Sequence, residues 1–123
     1  NHSMNTIRLG ENVYPYHINW RTFENWEIET GKEMQDLLDI LGKYKDAKKM
    51  PSGKDVMPII KFAFFAVQLG LKRTGGEPID MEDFIDNSEI TDLEKYMTVI
   101  ASGLDLKIEE DKKGNKRQPK QSV

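Results

Sequence analysis

The sequence predicts an α+β fold that is mostly α-helical, with a short N-terminal β-hairpin followed by a bundle of four to five helices. Two short β-prone runs flank a Gly/Asn turn near the start of the chain. Further along, apolar residues recur at helical spacing in segments that begin at Asn, Asp or Ser and end at Gly. Because 123 residues are enough to enclose one hydrophobic core, these patterns predict a single domain.

The predicted hairpin pairs Ile7–Leu9 with Val13–Tyr16 around the three-residue turn Gly10–Asn12. Pro15 lacks a backbone N–H, so its strand should be an edge strand or end early. A lone hairpin is only marginally stable in water. It must therefore pack on helices or pair with another chain.

The first two helices are predicted over Trp20–Thr30 and Lys32–Leu41. Asn19 is a suitable N-cap, and Gly31 and Gly42 are suitable residues to end each helix. Three aromatic residues should share one face of the first helix: Trp20, Phe23 and Trp26.

The third helix is predicted to follow a lysine-rich loop, Lys43–Lys54, with Asp55 as its cap and Pro58 in its first turn. Its residues from Ile59 to Leu69 are apolar on nearly all sides, which is typical of an enclosed helix. We expect it to be the central helix of the core. Since Lys61 lies within this run, the helix is not a predicted membrane span.

The segment Thr74–Pro78 breaks the chain before two further helices. Asp80 should cap a short helix that ends at Asp86, and Ser88 should cap the last helix. The last helix has an apolar stripe formed by Ile90, Leu93, Met97, Ile100 and Leu104.

The domain is predicted to span residues 4–108. Residues 1–3 precede Met4 and are interpreted as vector-derived. The polar composition of residues 109–123 predicts a disordered tail. No signal peptide is recognisable and the chain has no cysteine, so we expect a cytoplasmic protein without disulfides or thiolate metal sites.

The sequence offers little for catalysis, and we predict that the protein is not an enzyme. His17 is the only histidine after Met4, and no serine lies in a nucleophile-elbow pattern. An acidic cluster at 80–92 lacks the Gly and the alternating spacing of a calcium loop. We therefore predict no catalytic residue, no cofactor and no metal ligand.

One hypothesis for the function is that the protein is a small prophage-encoded regulator that binds nucleic acid. It would use Asp80–Gly103, where two predicted helices joined by a short turn mimic a helix-turn-helix. However, residues 80–95 contain seven acidic residues and one basic residue, Lys95. Phosphate would repel such a recognition helix. The charge pattern therefore disfavours nucleic acid as a partner.

The third helix is apolar on more faces than short amphipathic neighbours readily cover. This excess indicates an apolar surface that another chain completes. That chain is either a different protein or a second copy in a homo-oligomer. The candidate partner-binding residues are Phe62, Phe65, Leu69 and Met97.

The order of these segments resembles that of phage tail assembly chaperones from long-tailed phages. Matching elements are the G-x-x-x-Y hairpin Gly10–Tyr14, the helix end Phe23–Lys32 with its E-x-x-T-G pattern, and the amphipathic helix Met34–Leu41. The long apolar helix Ile59–Leu71 and the acidic element Ile79–Asp86 follow in the same order. The resemblance covers roughly residues 7 to 104, and the Lys43–Lys54 loop departs from it.

The resemblance implies a protein of the host bacterial cytoplasm that acts during tail morphogenesis. Such a chaperone would bind the tape measure protein, keep it soluble and help to recruit tail tube subunits. It would leave before the virion is mature.

Overall fold

A computed structural model describes residues 5–45 and 50–105. It confirms the mostly helical α+β fold, with an N-terminal antiparallel hairpin before five α-helices. The elements are β1 Thr6–Leu9, β2 Asn12–Pro15, α1 Trp20–Thr30, α2 Met34–Lys43, α3 Gly53–Thr74, α4 Met81–Asp86 and α5 Leu93–Gly103. A 3₁₀ turn, Ile90–Asp92, precedes α5. The predictions for residues 1–3 and 109–123 lie outside the described residues, as does part of the Lys43–Lys54 loop.

The hairpin loop has two residues rather than the predicted three, because Leu9 pairs with Asn12. Gly10 is the first loop residue and has a φ of 65°, which is the glycine position of a type II′ turn. The pairing extends past β2, where the Tyr16 N–H donates to the Asn5 carbonyl at 2.9 Å. Lys95 Nζ of α5 donates to the Arg8 carbonyl at 2.7 Å, so a lysine blocks one edge of the hairpin.

The predicted cap and end of α1 are confirmed. The Asn19 side chain accepts a hydrogen bond from the Arg21 N–H, and Gly31 ends the helix with a φ of 70°. Phe23 and Trp26 are buried, but Trp20 is 78% exposed. Three-residue steps rotate by about −60° each at 3.6 residues per turn, so Trp20 lies about 120° from Trp26 and leaves the buried face.

The bounds of α2 and α3 differ from the prediction. Helix α2 continues through Gly42 to Lys43, which brings the buried Tyr44 ring to the start of α3. Helix α3 begins at Gly53 because Ser52, not Asp55, is its N-cap. Pro58 therefore lies inside the helix and not in its first turn.

Helix α3 is the central helix, as predicted. It contacts all four other helices and β2. On one side Phe62 packs edge-on against Phe23 and Trp26, and on another Phe64 packs edge-on against Phe84. The Trp26 indole N–H donates to the Pro58 carbonyl at 2.9 Å, so this buried donor is paired.

The chain between β2 and α1 crosses α3 closely. The His17 N–H donates to the Ala66 carbonyl of α3 at 3.0 Å. One turn further on, a Cβ added to Gly70 would lie 2.4 Å from the Pro15 carbonyl oxygen. Glycine at position 70 thus permits the approach that joins the hairpin to the helices.

The last helix differs from the prediction at both its cap and its first apolar residue. Ser88 does not cap α5: its hydroxyl donates to the Phe84 carbonyl and lies 2.6 Å from the Tyr96 hydroxyl. Burial raises the pKa of Tyr96 to about 12, so this pair stays neutral. Ile90 is 85% exposed, because the 3₁₀ turn directs it away from the core.

Within residues 5–45 and 50–105, no helix combines the length and the apolar character needed to cross a bilayer. Helix α3 is long enough, but its exposed Lys54, Lys72 and Arg73 and half-buried Lys61 and Gln68 reduce its hydropathy.

Candidate functional site

A shallow groove runs between α1 and the second half of α3, which are antiparallel. It consists of two adjoining cavities of about 640 and 600 Å³, both lined by Arg21, Leu69 and Lys72. We call it the α1–α3 groove. Its apolar lining comes from Trp20 of α1 and from Phe65 and Leu69 of α3.

Trp20 is the most unusual residue of the groove. It follows the Asn19 cap directly, and its ring lies 6.1 Å from that of Phe23 between centroids. An indole that is 78% exposed leaves a large apolar area in contact with water. Covering that area is favourable by roughly 25 cal/mol per Å². Binding of a partner that buries this ring would therefore be favourable.

The ionisable lining of the groove is Arg21, Glu24 and Lys72. Two cations and one anion give it a charge of +1, in a chain with a net charge of −3. The Arg21 guanidinium pairs with the Glu24 carboxylate. No carboxylate of residues 5–45 or 50–105 lies within 4.0 Å of Lys72 Nζ. Among the described residues, Lys72 therefore has no ion-pair partner.

Gln68 fixes the far border of the groove. Its side-chain amide donates to the Ile79 carbonyl at 2.9 Å, and its amide oxygen accepts from the Ile79 N–H at 3.0 Å. This pair of bonds holds the segment that supplies Gly75, Gly76 and Pro78 to the groove lining. The polar residue within the apolar run of α3 thus has a structural role.

The structure brings together two of the four predicted partner-binding residues. Phe65 and Leu69 are half-buried and line the groove. Phe62 is 0% exposed between Phe23 and Trp26, so it is a core residue with no surface for a partner. Met97 is half-buried on α5 and does not line the groove.

Sequence patterns did not predict Trp20, Arg21 and Lys72 as residues of the candidate site. The three-residue spacing of Trp20, Phe23 and Trp26 predicts that they share one face of the helix. The helical angle between Trp20 and Trp26 was the available signal, since it places the two rings on different faces. For Arg21 and Lys72 no signal existed, because the pairing of α1 with α3 is set by tertiary packing.

His17 lies between β2 and α1 and is half-buried. Burial, with a smaller contribution from the nearby Arg73 charge, lowers the pKa of His17 below its ordinary value of 6.5. Among the described residues no side chain forms a hydrogen bond with its ring. In the same part of the chain, no group of three or more His, Cys, Asp or Glu side chains is placed to hold a metal ion.

The acidic segment considered for nucleic-acid binding presents its charge to solvent. Asp80, Glu82, Asp83, Asp86, Glu89 and Glu94 are all exposed. Asp80 caps α4, and Asp92 accepts from the Glu89 N–H at 2.8 Å. These carboxylates support helix starts, and together they give this face the charge that phosphate repels.

Comparison of the chain with protein-family models, with curated proteins and with solved structures found no match.

Proposed function

We propose that this protein is a phage tail assembly chaperone that binds the tape measure protein through the α1–α3 groove. The observation that carries the proposal is the exposed Trp20 ring, which lines one cavity of the groove together with the half-buried Leu69, while the half-buried Phe65 lines the adjoining cavity. An apolar groove between two antiparallel helices accepts a third helix by the packing used throughout helical proteins.

The proposal is also supported by the order of the elements in this chain, which resembles the order in the chaperone family. A tape measure protein is a long helical chain with apolar stripes that stay uncovered until the tail tube forms around it. A chaperone must cover such stripes and release them later. A shallow groove with one exposed anchor suits reversible binding, because few side chains dominate most interfaces and tryptophan is enriched among them.

The proposed place of action is the host bacterial cytoplasm, before the tail is complete. Recruitment of tail tube subunits would use a second surface of the chaperone. The virion itself would not retain the protein.

Co-expression with the tape measure protein of the same phage tests the proposal. We expect the tape measure protein to move from the insoluble to the soluble fraction and to copurify with the chain. Trp20→Glu should abolish copurification, because it places a charge where an apolar side chain docks. Ile28→Glu is the matched control: Ile28 is 76% exposed on the same helix and does not line the groove. A wild-type chain that neither solubilises nor retains the tape measure protein contradicts the proposal.

A further inference from the structure

The proposed function leaves open which kind of segment the α1–α3 groove binds. Its charge and shape carry that identification further. We infer that the groove binds an amphipathic helix of about two to three turns that has an apolar stripe flanked by carboxylates. This inference rests on the proposed function.

The length follows from the lining of α3. Phe65, Leu69 and Lys72 have i, i+4 and i+7 spacing, so they form one ridge along two turns of the helix, about 10 Å. A docked helix that follows this ridge presents apolar residues at the same spacing. In the complex, the apolar stripe would contact the half-buried Phe65 and Leu69 of α3 in one cavity. It would contact Trp20 of α1 in the adjoining cavity.

The acidic flank follows from the charges. Lys72 and Arg21 line both cavities of the groove, and no carboxylate of the described residues lies within 4.0 Å of Lys72 Nζ. Arg21 is shared with Glu24 and retains further N–H donors for a second carboxylate. A basic flank would meet a lining with a charge of +1, whereas an acidic flank would gain Lys72 as a partner and the remaining N–H donors of Arg21.

The apolar lining alone would accept any amphipathic helix. Arg21 and Lys72, which line both cavities, convert the groove into a site that discriminates by charge, which is the usual contribution of charged groups at an interface rim. The interaction is therefore sensitive to salt, because the cations are exposed.

Two synthetic helical peptides with the same leucine stripe test this inference. One carries Glu and the other Lys at the flanking positions, and each carries a fluorescent label for anisotropy titration. We expect the Glu peptide to bind at least about threefold more tightly than the Lys peptide at low salt, since exposed ion pairs and like-charge contacts have effects of this size. Binding should also shift the Trp20 emission to shorter wavelength, whereas Trp26 is already 0% exposed and should not respond.

Lys72→Glu should remove or reverse the preference for the Glu peptide. Lys54→Glu is the control, because it makes the same charge change at the opposite end of α3 and leaves the groove intact. Equal affinity for the two peptides, binding of neither, or a preference that Lys72→Glu leaves unchanged would each overturn the inference. Copurification of the tape measure protein is measured separately, so the chaperone proposal can stand when the charge preference fails.

Discussion

At the scale of single residues, Gly70 shows how one missing side chain permits the tertiary arrangement. The carbonyl of Pro15 occupies the space that a Cβ at position 70 would need, and the clash would be with backbone, not with a flexible side-chain end. The turn that leads from the hairpin to α1 must shift if that space is filled. Backbone shifts of this kind are costly in a packed core.

Gly70→Ala is therefore expected to destabilise the protein by about 1–3 kcal/mol or more, which corresponds to a lower Tm by several degrees. Gly42→Ala is the control, because nothing lies within 4 Å of a Cβ at that exposed position in α2. It should stabilise the protein by about 0.5–1 kcal/mol. Thermal denaturation measures the Tm of both variants. Equal changes in Tm would contradict the close approach of Pro15 to Gly70.

A second residue-scale cluster joins α2 to α3. The Tyr44 hydroxyl donates to Asp55 Oδ2 at 2.5 Å, and Lys43 Nζ donates to the same oxygen at 3.0 Å. The Tyr44 hydrogen bond, followed by that of Lys43, lowers the pKa of Asp55 below its ordinary value of 3.8. A lowered folded-state pKa means that this stabilisation is present above pH 3.8 and is lost as pH falls through the folded-state value.

We predict that Tyr44→Phe lowers the Tm at neutral pH and that its difference from the wild type shrinks in acid. The reason is that protonated Asp55 no longer attracts the hydroxyl as strongly. Thermal denaturation from pH 7 to pH 3 checks this, with Tyr16→Phe as a control for the loss of a buried hydroxyl elsewhere. A Tyr44→Phe difference that stays constant over this range would exclude the charge-assisted bond.

At the scale of elements, the segment between α3 and α4 is held by the side chain of Gln68. Its amide makes the two hydrogen bonds that a neighbouring strand would make with Ile79. These bonds give Gln68, a polar residue within the apolar run of α3, a structural role. They also tie the border of the groove to α3 without a further helix or strand.

Gln68→Leu should accelerate hydrogen exchange at the Ile79 amide, because its acceptor is removed and a nearby carbonyl is left without a donor. Gln68→Glu keeps an acceptor for that amide and should show intermediate protection. Native-state hydrogen exchange measures both variants. Unchanged exchange at Ile79 in Gln68→Leu would show that other contacts hold the segment.

At the scale of the whole molecule, one chain covers most of its central helix. Helices α1 and α5 and strand β2 pack on α3, and α2 and α4 add smaller contacts. The half-buried Phe65 and Leu69 remain at the α1–α3 groove. Self-association remains a prediction. A second copy in the groove would compete with the helical segment that we propose to bind there.

Light scattering over a concentration series tests self-association. If a second copy occupies the groove, the mass should rise with concentration and Phe65→Glu should return it to the 14.2 kDa of the single chain. Circular dichroism must show that this variant keeps its helices. A 14.2 kDa species at all concentrations would reject the homo-oligomer.

The sequence by itself determined the type and the order of the local elements of this protein. Asn19, Gly31 and Asp80 act as the caps and helix end that their residue types predict, because capping depends on neighbouring backbone groups only. The apolar run of α3 likewise predicted the central helix, since such a surface must be enclosed.

Tertiary structure alone decided which apolar residues are buried and where the groove lies. Ile90 fits the apolar stripe of the last helix yet is 85% exposed, and Trp20, at three-residue spacing from Phe23, is 78% exposed, whereas Phe62 was a candidate partner-binding residue and is fully enclosed. A periodic pattern defines a face within one helix but not the angle at which that face meets its neighbours. Burial depends on that angle, and it is set by packing between residues far apart in the chain, such as Gly70 and Pro15.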